Sequence, residues 1–134
     1  MQTVVDEGLA RPILIGRPSV IARRIEKLGL RLKQGVDFDL TNLDDDPRFN
    51  DYWQHYLQLM ERHGVTPSAA KAIVRSRSTV VAALMLKRGE VDAMLCGIVG
   101  KYQGKLKHVI NIIGIDPNVS CISALSVVIS DKGP

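Results

Sequence analysis

The chain has 134 residues, 46% hydrophobic and 24% charged, which is one domain's worth of ordinary globular composition. No apolar run approaches the roughly 18 residues a membrane-spanning helix needs, and Asp6 and Glu7 interrupt any basic-then-apolar leader pattern, so the cytoplasm is the expected compartment, with no membrane partner. A net charge of +4 suits a small polyanionic ligand, but the basic residues are scattered and not interleaved with aromatics, which argues against nucleic acid.

Residues 2–8 read as the last turns of a helix. Arg11-Pro12 then leads into Ile13, Leu14 and Ile15, a short buried strand ending at Gly16. Pro18 or Ser19 starts the next helix, with Ile21, Ile25 and Leu28 on one face and Gly29 as the residue that ends it. Residues 36–43 form a second, more polar strand. Asp44, Asp45 and Asp46 open a long helix, where acidic groups suit the positive end of the dipole, and Pro47 occupies its first turn. Phe49, Tyr52, Trp53, Tyr56, Leu57 and Met60 recur along it at helical spacing and form a core stripe, part of which would suit another subunit.

Thr66-Pro67 is an N-cap followed by proline at the first helical position, starting a helix through Val74. Ser76 or Ser78 caps the next, which stops near Gly89. Residues 91–96 are an almost continuous apolar run, expected to be a parallel strand covered on both faces. Cys96 there and Cys121 in the last strand, residues 120–130, are expected to be reduced, buried thiols at no metal-ligand spacing. Gln103 or Gly104 opens a helix with Leu106, Val109, Ile110 and Ile113 inward, and Lys105, Lys107, His108 and Asn111 on the other face. Asp116-Pro117-Asn118 is a turn. Alternation of strands and helices predicts an α/β layered fold with a mostly parallel sheet.

Ligands of such sheets bind at the carboxyl ends of strands, where the next helix begins. Gly97, Gly100 and Gly104 lie at that place, with Lys101, Tyr102, Lys105 and Lys107, so the loop is a candidate anion site. Arg75-Ser76-Arg77-Ser78 sits at a helix amino terminus, a natural phosphate site, with capping plus exposed arginines as the plainer alternative. His55 and His63 have no metal-binding spacing and are assigned no role. The glycine spacing is neither the dinucleotide fingerprint nor the P-loop, and no G-x-S-x-G elbow or paired zinc-ligand motif occurs.

Residues 88–114 read RGEVDAMLCGIVGKYQGKLKHVINIIG. This stretch resembles the phosphate acetyltransferase family, whose members carry G-E-[AV]-D-G-[ML]-V-[SA]-G-A-x-H, then a Ser/Thr-rich loop and T-x-R-P. It is most similar to the carboxy-terminal phosphotransacetylase-like domain of bacterial NADP-dependent malic enzymes, which have A-D-A-M-[IL]-C-G-x-V-G-x-Y where this chain has residues 91–102. The resemblance extends to Arg62-His63-Gly64-Val65-Thr66-Pro67 and to residues 11–16, nearly the whole chain. It implies a three-layer fold of the phosphotransacetylase and isocitrate dehydrogenase kind, with residues 1–134 an incomplete fragment truncated at both ends. It also implies a homo-oligomer, a dimer or higher.

The resemblance places Lys107-His108 where the family carries Arg-Pro, Gly100 where it carries the histidine, and residues 100–104 where it carries the Ser/Thr loop. Arginine is a planar fork for two phosphate oxygens, and lysine is only a point charge. Binding tolerates such changes better than catalysis, which loses steeply with small misplacement. The expected function is therefore a regulatory acetyl-CoA-binding domain without catalytic or metal-binding residues of its own. Gly97, Gly100, Lys101, Tyr102, Lys105 and Lys107 would line its acyl-CoA loop. The parent enzyme would oxidise and decarboxylate malate to pyruvate, with NADP and a magnesium or manganese ion in a part outside these residues. A competent phosphate acetyltransferase is the alternative, and a purely structural oligomerisation module is the third reading.

Overall fold

The computed structural model describes residues 1–97 and 99–124. In chain order these form α1 (Gln2–Asp6), β1 (Ile13–Ile15), α2 (Pro18–Lys27), β2 (Asp39–Thr41), α3 (Phe49–Met60), a single 3-10 turn (Glu61–His63), α4 (Pro67–Ser76), α5 (Ser78–Lys87) and α6 (Tyr102–Ile113). The class is α/β, with six α-helices and a small two-stranded sheet among the described residues.

β1 and β2 pair in parallel, Ile13 against Asp39, Leu14 against Leu40 and Ile15 against Thr41, with α2 as the crossover. Arg11 locks the entry to the pair, its Nε and Nη2 each 2.8 Å from a carboxylate oxygen of Asp39. α2 starts with Pro18 in its first turn, where the missing N–H breaks no bond. It ends on Gly29 at φ +60°, whose N–H reaches Glu26 O while that of Leu30 reaches Ile25 O. α5 ends the same way on Gly89 at φ +71°.

The core is helical. α5 is apolar almost all round and buries Thr79, Val80, Val81, Ala83, Leu84 and Met85, as the central helix of a bundle must. Tyr52, Tyr56 and Met60 of α3, Ala70 and Val74 of α4, and Ile112 of α6 close around it. The aromatic stripe of α3 is therefore core, as its spacing predicted. α2, by contrast, buries no residue completely. No helix among the described residues is long and apolar enough to cross a membrane.

Several expectations are corrected. β2 occupies only Asp39–Thr41 of the predicted 36–43, because residues 33–37 turn on the Lys33 N–H to Asp37 carboxylate bond of 2.7 Å. The acidic run does not open α3. Asp46 is used one turn earlier, accepting from the Arg48 N–H at 2.8 Å, and Asp51 is the acid of the first turn. Pro47 thus precedes the helix. Neither Ser76 nor Ser78 caps α5, whose N-cap position is Arg77. On α6 the fully buried residue is Ile112, and Ile113 is exposed.

Residues 91–96 form no strand. A strand needs a partner for its backbone groups, and the sheet consists of β1 and β2 alone among the described residues. Only Val91 and Met94 lean on the core, Leu95 is wholly exposed, and the thiols of Cys96 and Cys121 are exposed as well. Residues 120–124 are not a strand either, and the rest of the expected last strand, 125–130, lies outside the described residues.

Candidate functional site

Two polar regions flank the carboxyl end of α5. The first is a closed junction centred on Arg48, just before α3. Its guanidinium takes Asp46 in a fork, Nε to Oδ1 at 3.0 Å and Nη2 to Oδ2 at 2.8 Å. The same group donates to Glu90 Oε2 at 3.0 Å and to the buried Thr41 hydroxyl, at the end of β2, at 3.3 Å. The Tyr52 hydroxyl donates to Glu90 Oε2 at 2.7 Å, and Arg88 Nε takes Oε1. Arg48 and Arg88 also lie over the Tyr52 ring, at 5.5 and 5.4 Å from its centre.

Among the described residues no buried side-chain polar atom lacks a partner, and the bonds of this junction join α3, β2 and the end of α5. The electrostatics agree. The Arg48 guanidinium, through its hydrogen bonds, holds the Asp46 carboxyl below the usual carboxylate range. Burial, then the bond to Glu90, pushes the Tyr52 phenol up and keeps it neutral.

The Asp46 shift has a sign that can be worked through. A carboxylate whose folded pKa is depressed below its unfolded value of about 3.9 contributes stability above that value and loses it as pH falls through the folded pKa. Wild type should therefore lose stability below about pH 4 more steeply than Asp46→Asn. The difference should be about 1 kcal/mol, because Arg48 is 40% exposed and screened. Urea midpoints measured from pH 7 to pH 2.5 check it, and parallel curves would refute it.

The second region is the glycine loop and the helix it feeds. Gly97 and Gly100 adopt φ of +112° and +95°, a left-handed conformation that side chains rarely take, so glycine is required at both. Lys101 is the N-cap of α6 and Tyr102 its exposed first residue, 55% accessible. The stem of Lys105 lies 3.9 Å from where a Cβ on Gly100 would sit. Residues three and four apart share a helix face, so Lys101, Tyr102 and Lys105 gather on the loop side. Lys107 is two positions beyond Lys105, roughly 200° around the axis, and does not join them.

Lys107 instead belongs to a basic surface shared with α5. His108 is pushed down, first by burial and then by the positive charge of Arg77, Lys105 and Lys107, which places Arg77 among the cations facing it. Sequence reading had treated Arg77 as an exposed cap-region arginine. None of Lys101, Lys105, Lys107 or Arg77 makes an ion pair among the described residues.

Two clefts lie elsewhere. An apolar one of about 240 Å³ runs between α2 and the chain around β2, lined by Ile21, Ile25, Leu32 and Phe38. A shallow polar one of about 330 Å³ is lined by Asp51, Gln54, His55, Gln58 and Arg88. Among the described residues no group of three His, Cys, Asp or Glu side chains is placed to hold a metal ion.

The sequence profile of the phosphate acetyl/butaryl transferase family matches residues 1–133. The chain belongs to that family. It is 48% identical over 98% of its length to an NAD-dependent malic enzyme of Rhizobium meliloti and 47% identical, over the same share, to an NADP-dependent malic enzyme of Escherichia coli. It spans only 17% of the length of each. A phosphate acetyltransferase of Corynebacterium glutamicum is 25% identical over 91% of the chain, which covers 36% of that enzyme. As a phosphate acetyl/butaryl transferase family member, the chain keeps glycines that permit a close backbone approach. In the helix that follows, Lys107 stands exposed.

Proposed function

We propose that this chain is the phosphotransacetylase-like domain of a malic enzyme, and that it binds acetyl-CoA as a regulator without turning it over. The observation that carries the reading is the gap in similarity, 48% to a malic enzyme against 25% to a phosphate acetyltransferase. The relatives include both NAD- and NADP-dependent enzymes, so the earlier expectation of NADP widens to either nicotinamide cofactor. In this reading β1 and β2 are two strands of a three-layer, mostly parallel sheet, and the enzyme is a cytoplasmic homo-oligomer.

The whole enzyme would oxidise and decarboxylate malate to pyruvate. Neither the nicotinamide cofactor nor the divalent metal fits these residues: no dinucleotide fingerprint occurs in the sequence and no metal cluster among the described residues. Both are assigned to the remainder of the enzyme. Acetyl-CoA would act by linkage, binding one conformational state better than another. Support for the ligand comes from the left-handed Gly97 and Gly100, which leave the backbone open to close approach, and from Lys101, Tyr102 and Lys105 around them. Lys107, Arg77 and His108 on the adjoining face add positive field.

Calorimetric titration of acetyl-CoA into the full-length enzyme, with malate oxidation followed in parallel, tests this. Saturable binding that changes the malate rate is expected. Lys105→Ala should weaken it about tenfold, the loss of one charge-assisted contact, and Lys107→Ala, which removes only field from the adjoining face, should weaken it less. Robust acetyl phosphate synthesis from acetyl-CoA and phosphate would instead establish the acetyltransferase reading. Absence of binding, with a malate rate indifferent to acetyl-CoA, would leave a structural module.

A further inference from the structure

We infer that Glu90 is the positioning residue of the glycine loop, the point from which the loop's ligand groups are aimed; the ligand part of this inference rests on the acetyl-CoA reading. The backbone of Glu90 is fixed by the end of α5, its N–H donating to Met85 O at 2.9 Å beside Gly89, whose N–H reaches Leu86 O at 3.0 Å. Its carboxylate is held by three donors: the Tyr52 hydroxyl and Arg48 Nη1 on Oε2, and Arg88 Nε on Oε1. Two of them belong to α3 and its N-cap, so Glu90 ties the exit of α5 to a different helix.

Past Glu90 this anchorage ends. Among the described residues, none from 91 to 100 is joined to another by a backbone or side-chain hydrogen bond, and only Val91 and Met94 touch the core. The next fixed point is Lys101, whose carbonyl accepts the first bond of α6 from Lys105 at 3.4 Å. Between these points lie two glycines in the left-handed region, which widen the range of shapes open to the segment. The described part of the segment takes its course from these two ends. The pin at the α5 end is a half-buried carboxylate, 20% exposed, with donors on both oxygens.

The test uses the full-length protein with Glu90→Ala, Glu90→Gln and Val74→Ala. The last removes fully buried apolar mass from α4 and serves as a control for lost stability alone. Trypsin cleavage after Lys101 is timed without ligand, acetyl-CoA affinity is titrated, and Tm is recorded for each. Glu90→Ala should speed cleavage and weaken acetyl-CoA by about tenfold each, while Val74→Ala, at a comparable fall in Tm, leaves both within about twofold. Glu90→Gln, which keeps an acceptor for Tyr52, should fall between them. Equal cleavage rates in Glu90→Ala and Val74→Ala would overturn the anchoring. Faster cleavage in Glu90→Ala with unchanged acetyl-CoA affinity would overturn the aiming. Faster cleavage where wild type itself fails to bind acetyl-CoA would uphold the anchor and reject only the ligand reading.

Discussion

Tyr52→Ala is expected to destabilise the protein by about 3–5 kcal/mol, while Tyr52→Phe costs about 1–2 kcal/mol. Tyr52 is wholly buried, packed with Tyr56 and Met60 against α5, so truncation leaves a cavity the size of a ring. Its hydroxyl has a separate task, the 2.7 Å bond to Glu90. Phenylalanine keeps the packed ring and removes only that donor, leaving Glu90 Oε2 with Arg48. The ring is the larger share because dispersion and transfer scale with buried area, whereas one hydrogen bond exchanges with water. Urea denaturation of both variants checks it. A midpoint shift without a change of slope is expected, and equal shifts in the two would show that the ring contributes little. Ultraviolet titration adds a second check: Tyr52 and, through burial, Tyr56 should resist ionisation above the ordinary tyrosine range, and the Tyr52 share should vanish in Tyr52→Phe.

Most of the helices were legible because their signals are local. The stripe from Phe49 to Met60, the Thr66-Pro67 start and the Gly29 and Gly89 stops depend only on neighbours within a turn or two. The apolar run at 91–96 was misread for the opposite reason. Its composition suits a covered strand, but a strand is defined by pairing, which no window of sequence contains. The triple aspartate misled similarly: a negative charge before a helix suits its dipole, yet Asp46 is drawn away by Arg48, two positions on.

In the candidate site the division is the same. The glycine-punctuated stretch was visible in the sequence, and Gly97 and Gly100 adopt left-handed φ values there. The junction of Arg48, Tyr52 and Glu90 could not be read. Its members are separated by 38 and 42 positions, and each looked ordinary alone, an arginine after proline, one tyrosine of a stripe, a glutamate after a helix-stopping glycine. Arg77 was seen in the sequence but not placed, since only the packing of α5 against α6 brings it to His108.

Leu84→Ala and Leu28→Ala make the same chemical deletion and should differ severalfold in effect. Leu84 is fully buried on the central helix, enclosed by α3, α4 and α6, and its truncation should cost about 2–5 kcal/mol, made of lost transfer energy and an unfilled cavity. Leu28 closes α2 with 66% of its surface exposed, and its truncation should stay within about 0.5 kcal/mol. The contrast follows from where the apolar surface is removed from water. The helices α3 to α6 share one core, whereas α2 has no fully buried side chain, only Ile21 and Ile25 half-buried. Denaturation midpoints of the two variants decide it. A Leu28→Ala loss as large as that of Leu84→Ala would mean that the α2 face, with its apolar cleft, is covered in the folded protein by something beyond the described residues. A small loss at both would mean that α5 is not the centre of the core.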